Sequence, residues 1–356
     1  MKKRMLALLL AGAMCVSLAA CGSDTGSKNS QAPSTNTAEP QGGSDSSSDV
    51  KWPNGQDVYI DIPAKAGGGT DLMARYLTTP WASIVDGNMV VNNYDTAEVG
   101  AQHAAKAAPD GLTLTMASTV NMDNYLTGSS EVNPYEDLTV IGKFSAGGPQ
   151  ALVARADAPF DDLQGLAEYA KAHPGELVTG VALGGTSQLC WINLTKAMGG
   201  IELNYVQAGA EADKLTNVAA GSLDLGNCSL NNAKAYEADG KIKVLGILGI
   251  SDKLGKDDYM ADLPDNYKTT WEQGYEGAAW PAGGYICGPA GMDEALARTI
   301  NESMQQVKDD PTFVEGMASM SQVIEFLNLE ESRASFEAEW QLQVELTTNL
   351  GINIRN

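Results

Sequence analysis

The chain has 356 residues, and its 45 acidic against 23 basic side chains leave a formal net charge of −22. A surface that acidic repels nucleic acid and anionic lipid headgroups, so neither is an expected partner. About 300 residues follow residue 50, enough for two lobes with separate cores and long for one.

The N-terminus reads as an export signal. Lys2, Lys3 and Arg4 form a basic start, and Met5 to Ala20 form an apolar stretch that is short for a membrane span. It ends Ser17-Leu18-Ala19-Ala20-Cys21, a bacterial lipobox in which the cysteine sulfur accepts a diacylglyceryl group. The expectation is a signal peptide over 1–20 and a lipid anchor on Cys21, on the outer face of the cytoplasmic membrane. Residues 22 to 50 are rich in Ser, Gly, Asn, Thr and Pro and lack the apolar mass to order themselves. They read as a flexible tether spanning roughly 30 Å. Beyond it only Cys190, Cys228 and Cys287 remain, an odd number that excludes a complete disulfide framework. They fit best as small buried apolar residues, although one bridge such as Cys190 to Cys228 is open.

Asp57 to Pro63 alternates apolar and polar residues and predicts a half-buried strand. Gly67-Gly68-Gly69 ends it. Thr70-Asp71 opens a helix with Leu72, Met73, Tyr76 and Leu77 on one face. A strand over Met89 to Asn92, an alanine-rich helix over Gly100 to Ala108 and a strand over Leu112 to Ala117 follow. This β-α-β-α-β order predicts a parallel sheet covered by helices. A second α/β unit comes next, with strand 151–154, helix 163–172, strand 177–182, and Gly184-Gly185-Thr186-Ser187 leading into helix 188–198. Strands at 203–206, 223–225 and 243–250 follow, with a helix over 211–220. The tail is helical over 293–307, 311–320 and 329–347. Two α/β units with a long helical return predict an α/β fold of two lobes, each a parallel-rich sheet with flanking helices, and a central cleft between them. Lobe 1 would comprise 51–150 plus 281–356, and lobe 2 would comprise 151–280.

No catalytic motif emerges: there is no H-E-x-x-H, G-x-S-x-G, Cys-x-x-Cys or P-loop. His103 sits within the alanine-rich helix and His173 at a helix C-terminus, without a partner pattern. Paired carboxylates such as Asp161-Asp162, Asp257-Asp258 and Glu330-Glu331 read as solvated capping charges at helix starts and loops. Neither an enzyme, a cofactor nor a metal is expected. The positive signal is repeated: Gly68-Gly69-Thr70 and Gly184-Gly185-Thr186 each lie between a strand and a helix, one in each lobe. Glycine admits close approach to the backbone, and the unpaired N–H groups of the following helix attract an anion without Lys or Arg. Gly68, Gly69, Thr70, Asp71 and Ser118 in lobe 1, with Gly185, Thr186, Ser187 and Gln188 in lobe 2, are therefore candidate ligand-binding residues. Ordinary βα turns with capping threonines are the plainer alternative.

On these residues the chain resembles the substrate-binding receptors of tripartite tricarboxylate transporters, the Bug-like extracytoplasmic receptors. Shared segments are Pro63 through Asp71, Gly100 through Lys106-Ala107-Ala108-Pro109-Asp110-Gly111, and Pro134-Tyr135-Glu136-Asp137-Leu138. The match continues with His173-Pro174-Gly175-Glu176-Leu177, Gly185-Thr186-Ser187, Ala220-Gly221-Ser222-Leu223-Asp224, Gly288-Pro289-Ala290-Gly291-Met292 and Asp310-Pro311. The resemblance implies a type II periplasmic-binding-protein-like fold with two strand crossovers, and a monomeric receptor that closes around a small organic carboxylate and delivers it to a large and a small membrane subunit. Alternatives are a sensor of the same fold for a signalling partner and an exported enzyme. The chain departs from the family pattern at Tyr94-Asp95-Thr96-Ala97-Glu98, Gln207-Ala208-Gly209-Ala210 and Cys228-Ser229. Gln207 and Asn227 stand in as candidate ligand contacts there.

Overall fold

Alternation makes Asp57–Ile62 a strand (β1) whose Val58, Ile60 and Ile62 are wholly buried. This computed structural model describes residues 50–208, 211–249, 265–280 and 282–355. The leader, Cys21 and the tether up to residue 49 lie outside the described residues, as do Gly209, Ala210 and Asp257-Asp258. α1 (Gly69–Ala82) carries the chain from β1 to the parallel strand β2 (Asn88–Asn93), and α2 (Ala97–Ala105) leads to β3 (Thr113–Ala117), parallel to β1 on its other side. α3 (Thr119–Leu126), absent from the sequence reading, precedes the long strand β4 (Leu138–Gly147).

Two residues later the chain enters a second sheet with β5 (Gln150–Arg155). There α4 (Leu163–Ala172), β6 (Val178–Val181), α5 (Thr186–Ala197), β7 (Asn204–Gln207), α6 (Glu211–Ala219), β8 (Leu225–Ser229), α7 (Leu230–Ala238) and β9 (Ile242–Leu248) follow. The return strand β10 (Gly284–Pro289) rejoins the first sheet, followed by α8 (Glu294–Gln305), α9 (Pro311–Ser319), β11 (Val323–Ile324) and α10 (Leu329–Asn349). The strand orders are β11-β4-β10-β3-β1-β2 and β7-β6-β8-β5-β9.

Both sheets are mixed, a correction to the parallel-rich expectation. β10 is antiparallel to β3 and β4, β11 to β4, and β5 to β8 and β9. The cause is where the chain enters. β3 and β8 end at Ala117 and Ser229, whereas β5, β10 and β11 begin at Gln150, Gly284 and Val323 and run the other way. Helices cover both faces of each sheet, so successive residues of β5 feed different cores. Leu152 and Ala154 pack with Leu166 and Trp191, while Ala151 and Val153 pack with Val218 and Ala233.

Local details refine the sequence reading. Leu72 is 38% exposed, and α1 instead buries Asp71, Ala74, Leu77 and Trp81, the stripe that faces β1 and α9. Cys190, Cys228 and Cys287 are free and buried, and burial pushes their thiol pKa values up. Asp162 caps α4 through Gly165 N–H, and Glu331 completes a capping box with Asn328 on α10. His103 does have a partner: its Nδ1 lies 2.5 Å from Oδ2 of the buried Asp61 in β1. A separation of 42 residues hid that pair from any local pattern. Among the described residues no helix is long and apolar enough to cross a membrane.

Candidate functional site

The two glycine loops share one backbone design. Gly67 (φ +81°) and Gly184 (φ +76°) take the left-handed conformation, and Gly68 and Gly185 are the extended N-caps of α1 and α5. The residue four positions on closes each loop: Gly67 N–H donates to Asp71 Oδ2 at 2.8 Å, and Gly184 N–H to Gln188 Oε1 at 2.7 Å. The structural correspondence therefore aligns Gly67-Gly68 with Gly184-Gly185. This is one residue out of step with the Gly-Gly-Thr match read from sequence, and it pairs Gly69 with Thr186 and Thr70 with Ser187.

Their surroundings differ. Gly69 and Thr70, the first residues of α1, line a cleft of about 220 Å³. Ser118, Val120 and Asn121 at the start of α3 line it too, so the second helix N-terminus at the cleft belongs to α3 and not to α5. Ser118 Oγ accepts from Val120 N–H at 3.3 Å, and Asn121 Oδ1 accepts from Ser118 N–H at 3.0 Å, a reciprocal cap that fixes this end. Gln150, Gln322 and the backbone of 282–284 close the far side, while Met73, Met116, Trp280 and Met320 add apolar wall. No lining residue carries a charge. Helix dipoles and neutral donors thus set the electrostatics, which favour an anion with an apolar body.

The α5 loop packs onto α3 instead of lining this cleft. Thr127 Oγ1 donates to Gly184 O at 2.6 Å, and Thr186 Oγ1 donates to Oδ2 of Asp123. Ser187 Oγ accepts from Ala182 N–H, and Gln207 Oε1 accepts from Leu183 N–H at 3.0 Å, so both side chains brace the loop from within. Asn227, wholly buried, reaches the cleft only through Gln150, donating from Nδ2 to Gln150 Oε1 at 3.2 Å. Of the residues singled out from sequence, Gly69, Thr70 and Ser118 meet in the cleft, while Gly68, Asp71, Gly185, Thr186, Ser187, Gln188, Gln207 and Asn227 do not line it.

Two carboxylates in these loops are shifted in opposite directions. Burial drives Asp123 up to about 7; the Thr186 hydrogen bond opposes this, and Oδ1 has no hydrogen-bond partner. Burial also works to raise Asp71, but hydrogen bonds from Arg75 and Gly67 outweigh it and hold the group below the usual carboxylate range. Asp71 thus arrives as a fixed anion inside the first turn of α1, whereas Asp123 beside α5 keeps its proton up to about pH 7.

Gln150, Gln322 and Asn121 escaped the sequence reading. Ser118-x-x-Asn121 is a capping pattern that would have revealed α3 and its cleft-facing end. Gln150 and Gln322 carry no local signal, because their position follows from strands entering a sheet at the cleft.

Solved structures of periplasmic proteins share this two-sheet α/β body. Rpa4515 of R. palustris with adipate aligns with a TM-score of 0.71 at 22% identity, over 84% of this chain and 98% of that one. MatC of Rhodopseudomonas palustris with bound malate aligns at 0.68 and 21%, over 82% and 98%. A UPF0065 protein of Bordetella pertussis is 27% identical over 264 residues, 72% of this chain and 78% of that protein. Residues 73–331 match the family described as "Tripartite tricarboxylate transporter family receptor", and the chain belongs to that family.

Proposed function

We propose that the protein captures a small organic carboxylate outside the cytoplasmic membrane and hands it to the large and small membrane subunits of a tripartite permease. The observation that carries this reading is the cleft itself. The N-termini of α1 and α3 converge on an uncharged, partly apolar space of about 220 Å³, which suits a carboxylate head on an aliphatic body. Adipate and malate in two solved structures of similar fold support the ligand class. In this reading the two sheets are two lobes, 51–150 plus 281–356 and 151–280, that close on the ligand, and Cys21 tethers the body by a lipid anchor.

The test is a thermal-shift panel of acetate, succinate, malate, adipate and citrate, with succinamide, glucose and ATP as controls. One or more carboxylates should raise the melting temperature, by roughly 2.7 kcal/mol of stabilisation at 100 times the dissociation constant. A response to glucose or ATP with none to any carboxylate would overturn the reading.

A further inference from the structure

Lys214 on α6 is only 6% exposed and forms no ion pair among the described residues. Its Nζ donates to Asn227 Oδ1 at 3.0 Å. Glu211, the carboxylate acting on it from the same helix, is engaged by Ser229 and Asn232. Burial lowers the Lys214 pKa against the pull of Glu211, and an ammonium buried with no carboxylate in direct contact is costly, so its position calls for a function.

Its hydrogen bonds run in one direction. An ammonium only donates, so Asn227 must turn its oxygen toward Lys214 and its amide nitrogen away. That nitrogen meets Gln150, whose Oε1 accepts at 3.2 Å. Gln150 must then present its remaining group, the Nε2 amide, as a donor. No other partner takes this amide among the described residues, and Gln150 lines the cleft. We infer that Lys214 and Asn227 lock Gln150 as a hydrogen-bond donor that receives the ligand carboxylate opposite the N-termini of α1 and α3. Gln150 is then the ligand contact, and Asn227 and Lys214 are positioning residues behind it. Because each bond in the row is polarised by the buried cation, the charge reaches the ligand without exposing an ammonium that would also attract phosphate or sulfate from solvent.

This inference rests on the proposed carboxylate function, and its test separates the two. Wild type, Gln150→Met, Asn227→Asp and Lys214→Met are compared by calorimetry with succinate, malate and adipate, and with succinamide and adipamide. Gln150→Met should weaken the carboxylates roughly 10- to 100-fold, the loss of one hydrogen bond to a charged group. In Asn227→Asp the new carboxylate can only accept, so Gln150 must turn its amide back toward it and offer Oε1 to the cleft. Carboxylates should then lose affinity while the matching amides gain relative to them. Lys214→Met should give an intermediate loss. Gln150→Met binding carboxylates as wild type does, with an unchanged melting temperature, would overturn the inference. If wild type binds no carboxylate, the functional reading fails, and the relay is judged by the Gln150 side-chain amide in a 15N spectrum, assigned by its absence in Gln150→Met. That signal should move in both Lys214→Met and Asn227→Asp, and an unmoved signal rejects the relay.

Discussion

Thr186 on α5 donates its hydroxyl to the buried carboxylate of Asp123 on α3, and the contact joins a helix of the five-stranded sheet to one that packs on the six-stranded sheet. An internal carboxylate thus stands at the N-terminus of α5, where an incoming anion was expected. Burial lifts Asp123 to about 7, so the folded state holds its proton at pH values where the unfolded chain has released it. Its stabilising contribution is complete below the ordinary carboxylate pKa and is lost as pH rises through about 7. Asp123→Asn should match wild type near pH 4 and exceed it at pH 8, by on the order of 4 kcal/mol at most. Urea denaturation of both proteins across that range checks it, and a pH-independent difference would contradict the raised pKa.

The two glycine loops should respond differently to a side chain. A Cβ on Gly69 would project toward the cleft with Met320 Cε 3.7 Å away, which is ordinary contact. Gly69→Val should therefore fold with near-native stability and lose carboxylate binding. Gly184 has φ +76°, and a Cβ there would lie 3.1 Å from Ser129 Oγ and 3.3 Å from Thr127 Oγ1. Gly184→Ala should cost about 1–2 kcal/mol while leaving the cleft lining intact. Denaturation and ligand thermal shift on the pair separate the two effects.

The contrast shows what sequence could and could not reveal. Strand–glycine–helix junctions are local, so both loops, β1 to β3, and α4 to β9 apart from β8 and α7 were readable from periodicity and breakers; the strand expected at 223–225 in fact runs over Leu225–Ser229. β4 and β10 were not: Gly142 interrupts the apolar run of β4 and Gly284 and Gly288 flank the short run Tyr285-Ile286-Cys287 of β10, with Met304 and Phe144 packed against the bare backbones of Gly142 and Gly284. The cleft was half legible for the same reason. Thr70 and Ser118 follow strands at glycine or capping signals, whereas Gln150 reaches the site only because β5 starts there, a consequence of tertiary topology.

A buried cluster beneath the cleft offers a stability prediction. Lys143 on β4 is nearly inaccessible, and its Nζ pairs with Glu325 at 2.6 Å and Glu339 at 3.2 Å. Burial raises the Glu339 pKa, with Lys143 opposing it. Lys143→Ala should destabilise by roughly 3–5 kcal/mol, because it leaves a buried carboxylate uncompensated. The double variant Lys143→Met with Glu339→Gln should recover much of that loss. Failure of the double variant to recover would mean that packing rather than charge holds α10 on β4.

The lipid anchor is tested on the precursor. Labelled fatty acid should enter the wild-type chain and not Cys21→Ser, and the wild-type body should leave membranes only with detergent. Incorporation into the variant would reject Cys21 as the acceptor.

Closure of the lobes is the last expectation, and it rests on how the chain passes between the sheets. β4 ends at Gly147, which has φ +97°, and a Cβ there would lie 2.8 Å from the carbonyl of Ala282, on the return segment just before β10. The two crossovers therefore touch through bare backbone at one point beside the cleft. A pivot of this kind lets two packed bodies rotate without disturbing either core. X-ray scattering should show a smaller radius of gyration with a saturating carboxylate than without it. Gly147→Ala should stiffen or distort the pivot, so it should weaken binding although it adds nothing to the cleft wall. Each core should still melt cooperatively. An unchanged radius in wild type at saturating ligand would mean that the site is formed before the ligand arrives, and the bare backbone at Gly147 would then be a packing requirement alone.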